Sequence, residues 1–492
     1  MTGYLKRLLS SLGAYQVANV VGKVSAVVTL PVYTRYIDPA AYGAIELLAN
    51  GVILVSILAR FGMIEAFLRF YFTDEDAARR DALVRRTAAF LLVATTIVSA
   101  LLLVFAAPLS GVVLTHRDPA LFRIAVLGLW SFTNLEYAYA VLRVDERLRA
   151  YATASLVNVI GTVAAVVTLV VGFGLGARGY LLGNYGVSVL VLLGLWWAMR
   201  HRLAPRAAPS LSMAALMRFG LPTVPAEASV YLLSIVDRFY IYHDRSPALA
   251  GLYSIALKVA GAVAFVVTAF QYAWPPLAYS VRDDAEAGRL YGLVTTYYLL
   301  VTGWLVAVLT LEGRWILHVF AAPRFFGGYR ALPWVALGWA LYGLWVVFLT
   351  VAGRAQVTTR NFPAALAGLA ANVVLLLVLV PRIGIAGAGI ALCGAYVVML
   401  AVMHALTRRE FHVVFEWSRL GRLTLVMGGL AAAGDALLPT HGAAGFLLRL
   451  AAIAAIAPAL LLVGFVHPAE LRQARALVAR VRRLGPPAGS RA

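Results

Sequence analysis

The sequence holds one cysteine, Cys393 in the small-residue run GIALCGAY, so it can form no intrachain disulfide. It has no H-E-x-x-H stretch and no paired cysteines, which leaves no metal-site case. No Walker A sequence appears, which argues against ATP hydrolysis in this chain. G-x-G-x-x-G is matched to the letter by GLGARG at residues 174 to 179, but between two apolar runs instead of a strand and a helix, which sets dinucleotide binding aside. Charge is also scarce: 13% of residues are Asp, Glu, Lys or Arg, where a soluble globular chain carries about 25%. Acid is scarcer than base, 22 residues against 42, for a formal net charge of +20.

What fills the space is apolar. Hydrophobic residues make up 62% of the chain, the mean hydropathy is +0.85, and windows of the roughly 20 apolar residues that cross a bilayer recur from end to end. The expected fold class is therefore all-α: a polytopic membrane protein of about fourteen transmembrane helices. The spans fall near residues 12 to 33, 43 to 64, 87 to 107, 122 to 142, 152 to 173, 179 to 199, 216 to 237, 251 to 274, 290 to 312, 331 to 353, 361 to 380, 384 to 406, 420 to 438 and 445 to 466. With the N-terminus cytoplasmic, roughly 28 Lys and Arg lie in inner segments against roughly 9 outside, the asymmetry of the positive-inside rule. That topology, and not nucleic-acid binding, accounts for the basic balance, and it puts both termini in the cytoplasm. The first apolar stretch is long, contains Lys23 and lacks an A-x-A-like cleavage site, so it reads as an uncleaved span. The end of the chain spaces Leu471, Ala474, Val478 and Val481 helically beside five arginines, as expected of an amphipathic helix on the anionic inner leaflet.

The chain repeats itself. The run from Asn158, NVIGTVAAVVTLVVGFGLGARGYLLGNYGVSVLVL, matches the run from Ala371, ANVVLLLVLVPRIGIAGAGIALCGAYVVMLAV, in its two apolar stretches and Gly-rich hinge. Residues 30 to 50, LPVYTRYIDPAAYGAIELLAN, are echoed by residues 234 to 258, SIVDRFYIYHDRSPALAGLYSIALK. Six spans separate corresponding elements, so the halves enter the membrane in the same direction, and substrate sites in such parallel repeats lie near midplane at their interface. The expected organisation is an N-lobe over residues 1–205 (spans 1 to 6), a C-lobe over 206–410 (spans 7 to 12), two appended spans within 411–466, and the basic tail 467–492.

An ionisable side chain in hydrocarbon is expensive unless it faces a partner or water, so its placement is informative. Spans 3, 5, 6 and 9 to 12 carry none in their cores. The charges gather in the first two spans of each half: Lys23 in span 1; Glu46, Asn50 and Arg60 in span 2; Glu227, Asp237 and Arg238 in span 7; Lys258 and Gln271 in span 8. Arg35 precedes span 2 in the charged outer stretch. At 1.5 Å per residue Lys23 and Glu227 lie at similar depth, so a pair between them is feasible. Pro222 and Pro225 in early span 7 cannot both sit in a regular helix interior, so that span is expected to be broken and to hinge. The alternative for all these charges is pairing inside each bundle as structural staples. The net over Lys23, Arg60, Lys258, Glu46 and Glu227 is one positive charge, which mildly favours an anionic cargo. The acidic runs TDEDAARRD and RDDAE map to short loops and balance neighbouring arginines, and Trp304, Trp315, Trp334 and Trp339 suit an interfacial belt.

The segments LPVYTRYIDPAAYGAIELL, RFGLPTVPAEASVYLLSIVDRFYI, AGLYSIALKVAG and QYAWPPLA resemble the polysaccharide-export, Wzx-type branch of the multidrug/oligosaccharidyl-lipid/polysaccharide exporter superfamily, over roughly residues 1 to 410. The resemblance implies a fourteen-helix, two-lobed fold whose spans 1, 2, 7 and 8 line a central cavity. It implies a transporter and not an enzyme, with no catalytic residue, and as cargo an undecaprenyl-diphosphate-linked oligosaccharide flipped across a bacterial inner membrane for O-antigen, capsule or exopolysaccharide synthesis. On that reading Lys23, Arg60 and Lys258 hold the diphosphate, Asn50 and Gln271 meet the sugars, Glu46, Glu227, Arg35, Asp237 and Arg238 gate or couple, and Pro222 and Pro225 hinge alternating access. No cofactor is expected beyond a proton or sodium ion coupled through Glu227 or Glu46, no metal site, and no nucleic-acid partner. Membrane lipid, a glycan polymerase and a chain-length regulator are the expected partners. The rivals are a drug/cation antiporter of the same superfamily, which would need a dominant acidic cavity, a membrane glycan polymerase or glycosyltransferase, which would need a substantial outer catalytic loop, and a non-transporting scaffold.

Overall fold

The computed structural model describes residues 21–22, 24–73, 76–203 and 212–466, with Ala226 by its backbone only. Lys23 and the basic tail read from the sequence lie outside the described residues. Every regular element among the described residues is a helix. We label α1 (Leu30–Tyr36), α2 (Pro39–Ala59), α3 (Met63–Tyr71), α4 (Ala77–Val104), α5 (Pro119–Val144), α6 (Leu148–Val167), α7 (Gly176–Ala198), α8 (Met213–Gly220), α9 (Thr223–Tyr240), α10 (Pro247–Val259), α11 (Gly261–Ser280), α12 (Asp284–Leu311), α13 (Leu332–Arg354), α14 (Asn361–Ile383), α15 (Ile385–Thr407), α16 (Trp417–Leu437) and α17 (Gly442–Leu462). Among the described residues, eleven helices are long and apolar enough to cross a membrane, and α10 with α11 makes a twelfth if taken as one span. The expected span 4 is α5, 26 residues long but carrying Arg123, Glu136 and Arg143.

The charged stretches that looked odd in an apolar sequence begin as helix starts. Asp38 accepts a hydrogen bond from the Ala41 N–H at 2.9 Å and Pro39 occupies the first turn of α2. Ser246 accepts from the Leu249 N–H at 3.2 Å and Pro247 occupies the first turn of α10. A side-chain acceptor followed by proline satisfies an orphan N–H and supplies a residue with none to satisfy. The acidic loop runs do the same work: Asp76 caps α4 and Asp283 caps α12, while Asp81 pairs with Arg202 at 2.6 Å and Asp284 with Arg354 at 2.7 Å.

Proline has a milder effect than the sequence suggests. The span Met213–Arg245 is interrupted once, at Leu221 and Pro222, where Pro222 stands at the start of α9. Pro225 falls in the first turn, where the missing N–H breaks no intrahelical bond. A second interruption lies at Ala260, two residues beyond Lys258, between α10 and α11.

The described chain forms two compact units. The first comprises Met1–Gly261, Leu317–Gly338 and Thr359–Met403. In it α7 packs on α5 and α6, α4 on α5, and α2 on α5, α9 and α10, around a core that includes Phe67, Leu91, Tyr137, Leu142 and Leu192. The second comprises Ala262–Ile316, Trp339–Thr358 and His404–Ala492. There α12 packs on α16 and α17, and Trp274 donates to the Thr350 hydroxyl at 2.7 Å within a core with Tyr291 and Val347. Arg449 is fully buried in α17 and donates to the carbonyls of Leu311, Asp435, Leu438 and Pro439 and to the Asp435 carboxylate at 3.2 Å, closing helix ends that would otherwise present orphan carbonyls.

Beside Arg449, at the end of α12, Glu312 is 5% exposed and neither carboxylate oxygen accepts a hydrogen bond. A buried carboxylate without acceptor contacts among the described residues carries an uncompensated desolvation cost. Glu312→Gln is therefore expected to melt above the native protein at pH 7. Thermal unfolding checks it; a lower melting temperature would contradict it.

Candidate functional site

The site is a seam in the first unit where α2 meets α9 and α10, elements that correspond to span 2 of the first half and spans 7 and 8 of the second. Its geometry starts from glycines. At Gly43 a Cβ would run into the Pro247 carbonyl, and at Gly251 into the Pro39 carbonyl, a reciprocal backbone contact built from the two capped, proline-led helix starts. At the other end of α2, Gly62, with φ of +66°, lies against the Gly220 carbonyl, and Gly220 against that of Gly62. Glycine suits both crossings because only it lets backbones approach this closely.

Held in that register, the charges meet across the halves. Lys258 Nζ lies 2.6 Å from Glu46 Oε1 and 5.0 Å from the centre of the Tyr42 ring. One turn further along α2, the Asn50 Oδ1 accepts from Arg238 Nη1 at 2.8 Å and from the Tyr231 hydroxyl at 3.1 Å, while Asn50 Nδ2 donates to the Glu46 carbonyl at 2.6 Å. Asp237, 1% exposed, accepts from the Tyr253 hydroxyl and from the Arg238 N–H at 2.8 Å. At the far end Arg60 pairs with Glu227 of α9 and, at 3.3 Å, with Glu65. Fourteen residues separate Glu46 from Arg60, so the two ion pairs stand about 21 Å apart along the helix. Between them Ile53 and Ile57 pack on Val224, Ala228 and Tyr231. The seam is thus latched by charge at both ends and apolar in the middle.

Of the residues singled out from sequence, Glu46, Asn50, Arg60, Glu227, Asp237, Arg238 and Lys258 come together here. Glu227 is held by Arg60, and the feasible pairing of Glu227 with Lys23 is not tested, because Lys23 lies outside the described residues. The two latches join span 2 to spans 7 and 8, across the halves, while Arg60 also pairs with Glu65 inside its own half. Lys258 faces Glu46 and Arg60 faces Glu227, so the one positive charge in excess in the sequence count is that of Lys23, outside the described residues. Arg35 has an exposed side chain, and its backbone carbonyl accepts from Arg324 at 2.7 Å. Gln271 lies in the second unit, donating to the Tyr342 hydroxyl at 3.1 Å. Pro222 marks the one interruption of span 7, and Pro225 follows within its first turn. Sequence reading passed over Tyr42, Tyr231, Tyr253, Glu65 and the four glycines; the shared pattern of cap, proline and glycine in DPAAYG and SPALAG is the signal that could have found Gly43 and Gly251. A larger cavity of about 700 Å³ lies elsewhere in the first unit, at the ends of α3, α5 and α7, where Arg202 bridges Asp81 and Asp145.

The site is thus a charge-latched seam between repeated segments of a helical membrane fold. Residues 8–281, more than half of the 492, match the family described as polysaccharide biosynthesis protein, and the chain belongs to that family. It is 26% identical over 321 residues to the succinoglycan biosynthesis transport protein ExoT of Rhizobium meliloti (strain 1021); the match takes in 63% of this chain and spans 61% of the length of that relative. Among solved structures, the fold is similar to the lipid II flippase MurJ in an inward closed conformation, with a TM-score of 0.67 at 12% identity over 91% of this chain and 97% of that one. It is also similar to the Vibrio cholerae MATE transporter VcmN, with a TM-score of 0.59 at 13% identity over 83% and 98% of the two chains.

Proposed function

We propose that this chain is a flippase that moves an undecaprenyl-diphosphate-linked oligosaccharide from the cytoplasmic to the periplasmic leaflet of a bacterial inner membrane by alternating access. The observation that carries the reading is the pair of latches: two cations, Lys258 and Arg60, each held by a carboxylate from the opposite half, about 21 Å apart along one helix. A buried cation–carboxylate pair is a replaceable arrangement, because a diphosphate offers the same cation more acceptor oxygens and more charge than the carboxylate it displaces. Opening one latch while the other stays shut would expose the seam to one leaflet at a time, with residues 1–205 and 206–410 as the moving halves and the interruption at Pro222, followed by Pro225, as the hinge.

In this scheme Lys23, Arg60 and Lys258 take turns on the diphosphate, Asn50 and Gln271 serve the sugars, and Arg35, Asp237 and Arg238 belong to the outer gate. Glu46 and Glu227, freed when a cation turns to the cargo, are the groups through which a proton or sodium ion would couple. The excess of Lys and Arg in inner loops supports cytoplasmic termini. A glycan polymerase and a chain-length regulator would act on the exported product. A drug/cation antiporter is disfavoured by the same latches, since each carboxylate already has its cation.

Purified protein in phospholipid vesicles is expected to translocate a fluorescent polyprenyl-diphosphate oligosaccharide, read by loss of signal to an external quencher. Arg60→Ala should slow it by about tenfold or more, the worth of one charge-assisted contact to phosphate. No translocation by the native protein would refute the flippase reading, and undiminished rates in the variant would remove Arg60 from it.

A further inference from the structure

The face of α2 turned away from the latches borders an apolar chamber of about 240 Å³. Its walls include Gly51 and Val55 of α2, Leu102 of α4, Leu109 of the short helix Ala106–Val113, Leu129 of α5 and, from the second half, Phe239 of α9. Every residue lining it is apolar, so a water molecule inside would find no partner. Hydrocarbon is the alternative solvent for a chamber between membrane helices.

Three features separate it from an accidental packing gap. The first is glycine. Gly43, Gly62, Gly220 and Gly251 are each pressed against backbone, but a Cβ at Gly51 would meet no atom within 4 Å. A glycine in mid-helix carries an entropic cost relative to alanine, and here it secures no close approach; what it does is keep the chamber open. The second is that chamber and seam share the same two helices on different faces: Gly51 follows Asn50, and Phe239 follows Arg238, the residues joined by the 2.8 Å hydrogen bond. The third is that the Phe239 wall is tied across the halves, since its ring stacks on His243 at 4.4 Å and His243 Nε2 lies 3.2 Å from the Val112 carbonyl of the short helix. The chamber is therefore walled by the same two halves that the latches join.

We propose that the chamber is a subsite for the hydrocarbon chain of the transported polyprenyl lipid, receiving the segment next to the headgroup while Arg60 or Lys258 of the seam holds the diphosphate. This rests on the flippase reading and adds to it a place for the tail within the first half, closed by one aromatic ring of the second. The chain is guided inside the protein over its first segment and meets bilayer lipid only beyond it.

The test uses the full chain in phospholipid nanodiscs with two photoreactive probes, a polyprenyl diphosphate bearing a diazirine in its first isoprene units and a phosphatidylcholine bearing one in its acyl chain. The polyprenyl probe is expected to label peptides covering residues 47–55 and 102–129, with competition by unlabelled polyprenyl diphosphate and not by excess phosphatidylcholine. Gly51→Leu, which fills open space, should reduce that labelling by about tenfold, the worth of roughly two methylenes of buried chain, with no fall in melting temperature; Val55→Phe is the second filling variant. Equal labelling by the phospholipid probe, or labelling undiminished in both filled variants, would overturn the subsite. Flipping by native protein whose chamber stays unlabelled removes the subsite and leaves the flippase reading; competed labelling of the chamber without flipping in vesicles does the reverse.

Discussion

Gly43→Ala is expected to destabilise the protein by about 1 to 3 kcal/mol, the range for forcing one extra carbon into a packed contact, while Gly51→Ala, eight residues along the same helix, stabilises it by about 0.5 to 1 kcal/mol. The opposite signs follow from what each new Cβ would meet: the Pro247 carbonyl in one case and open space in the other. Gly251→Ala should behave like Gly43→Ala because the crossing is reciprocal, and the double variant should cost less than the sum, since either Cβ alone already parts the helices. Parting them also separates Glu46 from Lys258, so these variants should populate the state open at this end and react faster with aqueous thiol reagents at a cysteine placed at position 49, one turn along α2, which leaves the ion pair in place. Thermal unfolding in detergent and labelling rates check both halves of the expectation. If Gly43→Ala were as benign as Gly51→Ala, the close crossing would be wrong.

The second large effect concerns the latch itself. Lys258→Met alone leaves Glu46 buried without its cation, and Glu46→Leu alone strands Lys258, each at a cost of about 3 kcal/mol, the lower end for a buried pair because both side chains keep some exposure, 24% and 14%. The double variant Lys258→Met with Glu46→Leu should recover most of that stability, because an apolar pair of similar volume needs no compensation for desolvation. Its transport should not recover. A stable double variant that flips substrate at less than about a tenth of the native rate separates a cation needed by the cargo from one needed only by the fold. A double variant that is both stable and active would reduce this latch to a staple.

How much of this was readable in advance differs residue by residue. The membrane spans follow from apolar run length alone, because hydrocarbon demands that a crossing segment satisfy its own backbone, and span 4 was recognisable despite Arg123, Glu136 and Arg143. The concentration of Glu46, Arg60, Glu227 and Lys258 in spans 2, 7 and 8 was likewise visible, since an ionisable group in such a segment is conspicuous against its neighbours. Their partners were not. Sequence depth allowed Glu227 with Lys23 and did not single out Arg60, because depth fixes only height in the membrane, and several cations share one height. That Pro222 and Pro225 could not both lie in a helix interior was legible, but which of them stands at the break was not, because residue type does not give the place in the helix turn. The interruption at Ala260 involves no proline and left no mark in the sequence.

The amino-acid sequence alone determined the class of this protein, its helical spans, its internal repetition and the short set of polar residues within those spans, because each of these depends on local composition weighed against the cost of burying polar groups in hydrocarbon. Only the tertiary structure decided that Lys258 answers Glu46 and Arg60 answers Glu227, and that Gly43 is filled by a neighbouring carbonyl while Gly51 opens on empty space. Those outcomes depend on the register of helices some two hundred residues apart, which is set by the close backbone crossings at both ends of α2.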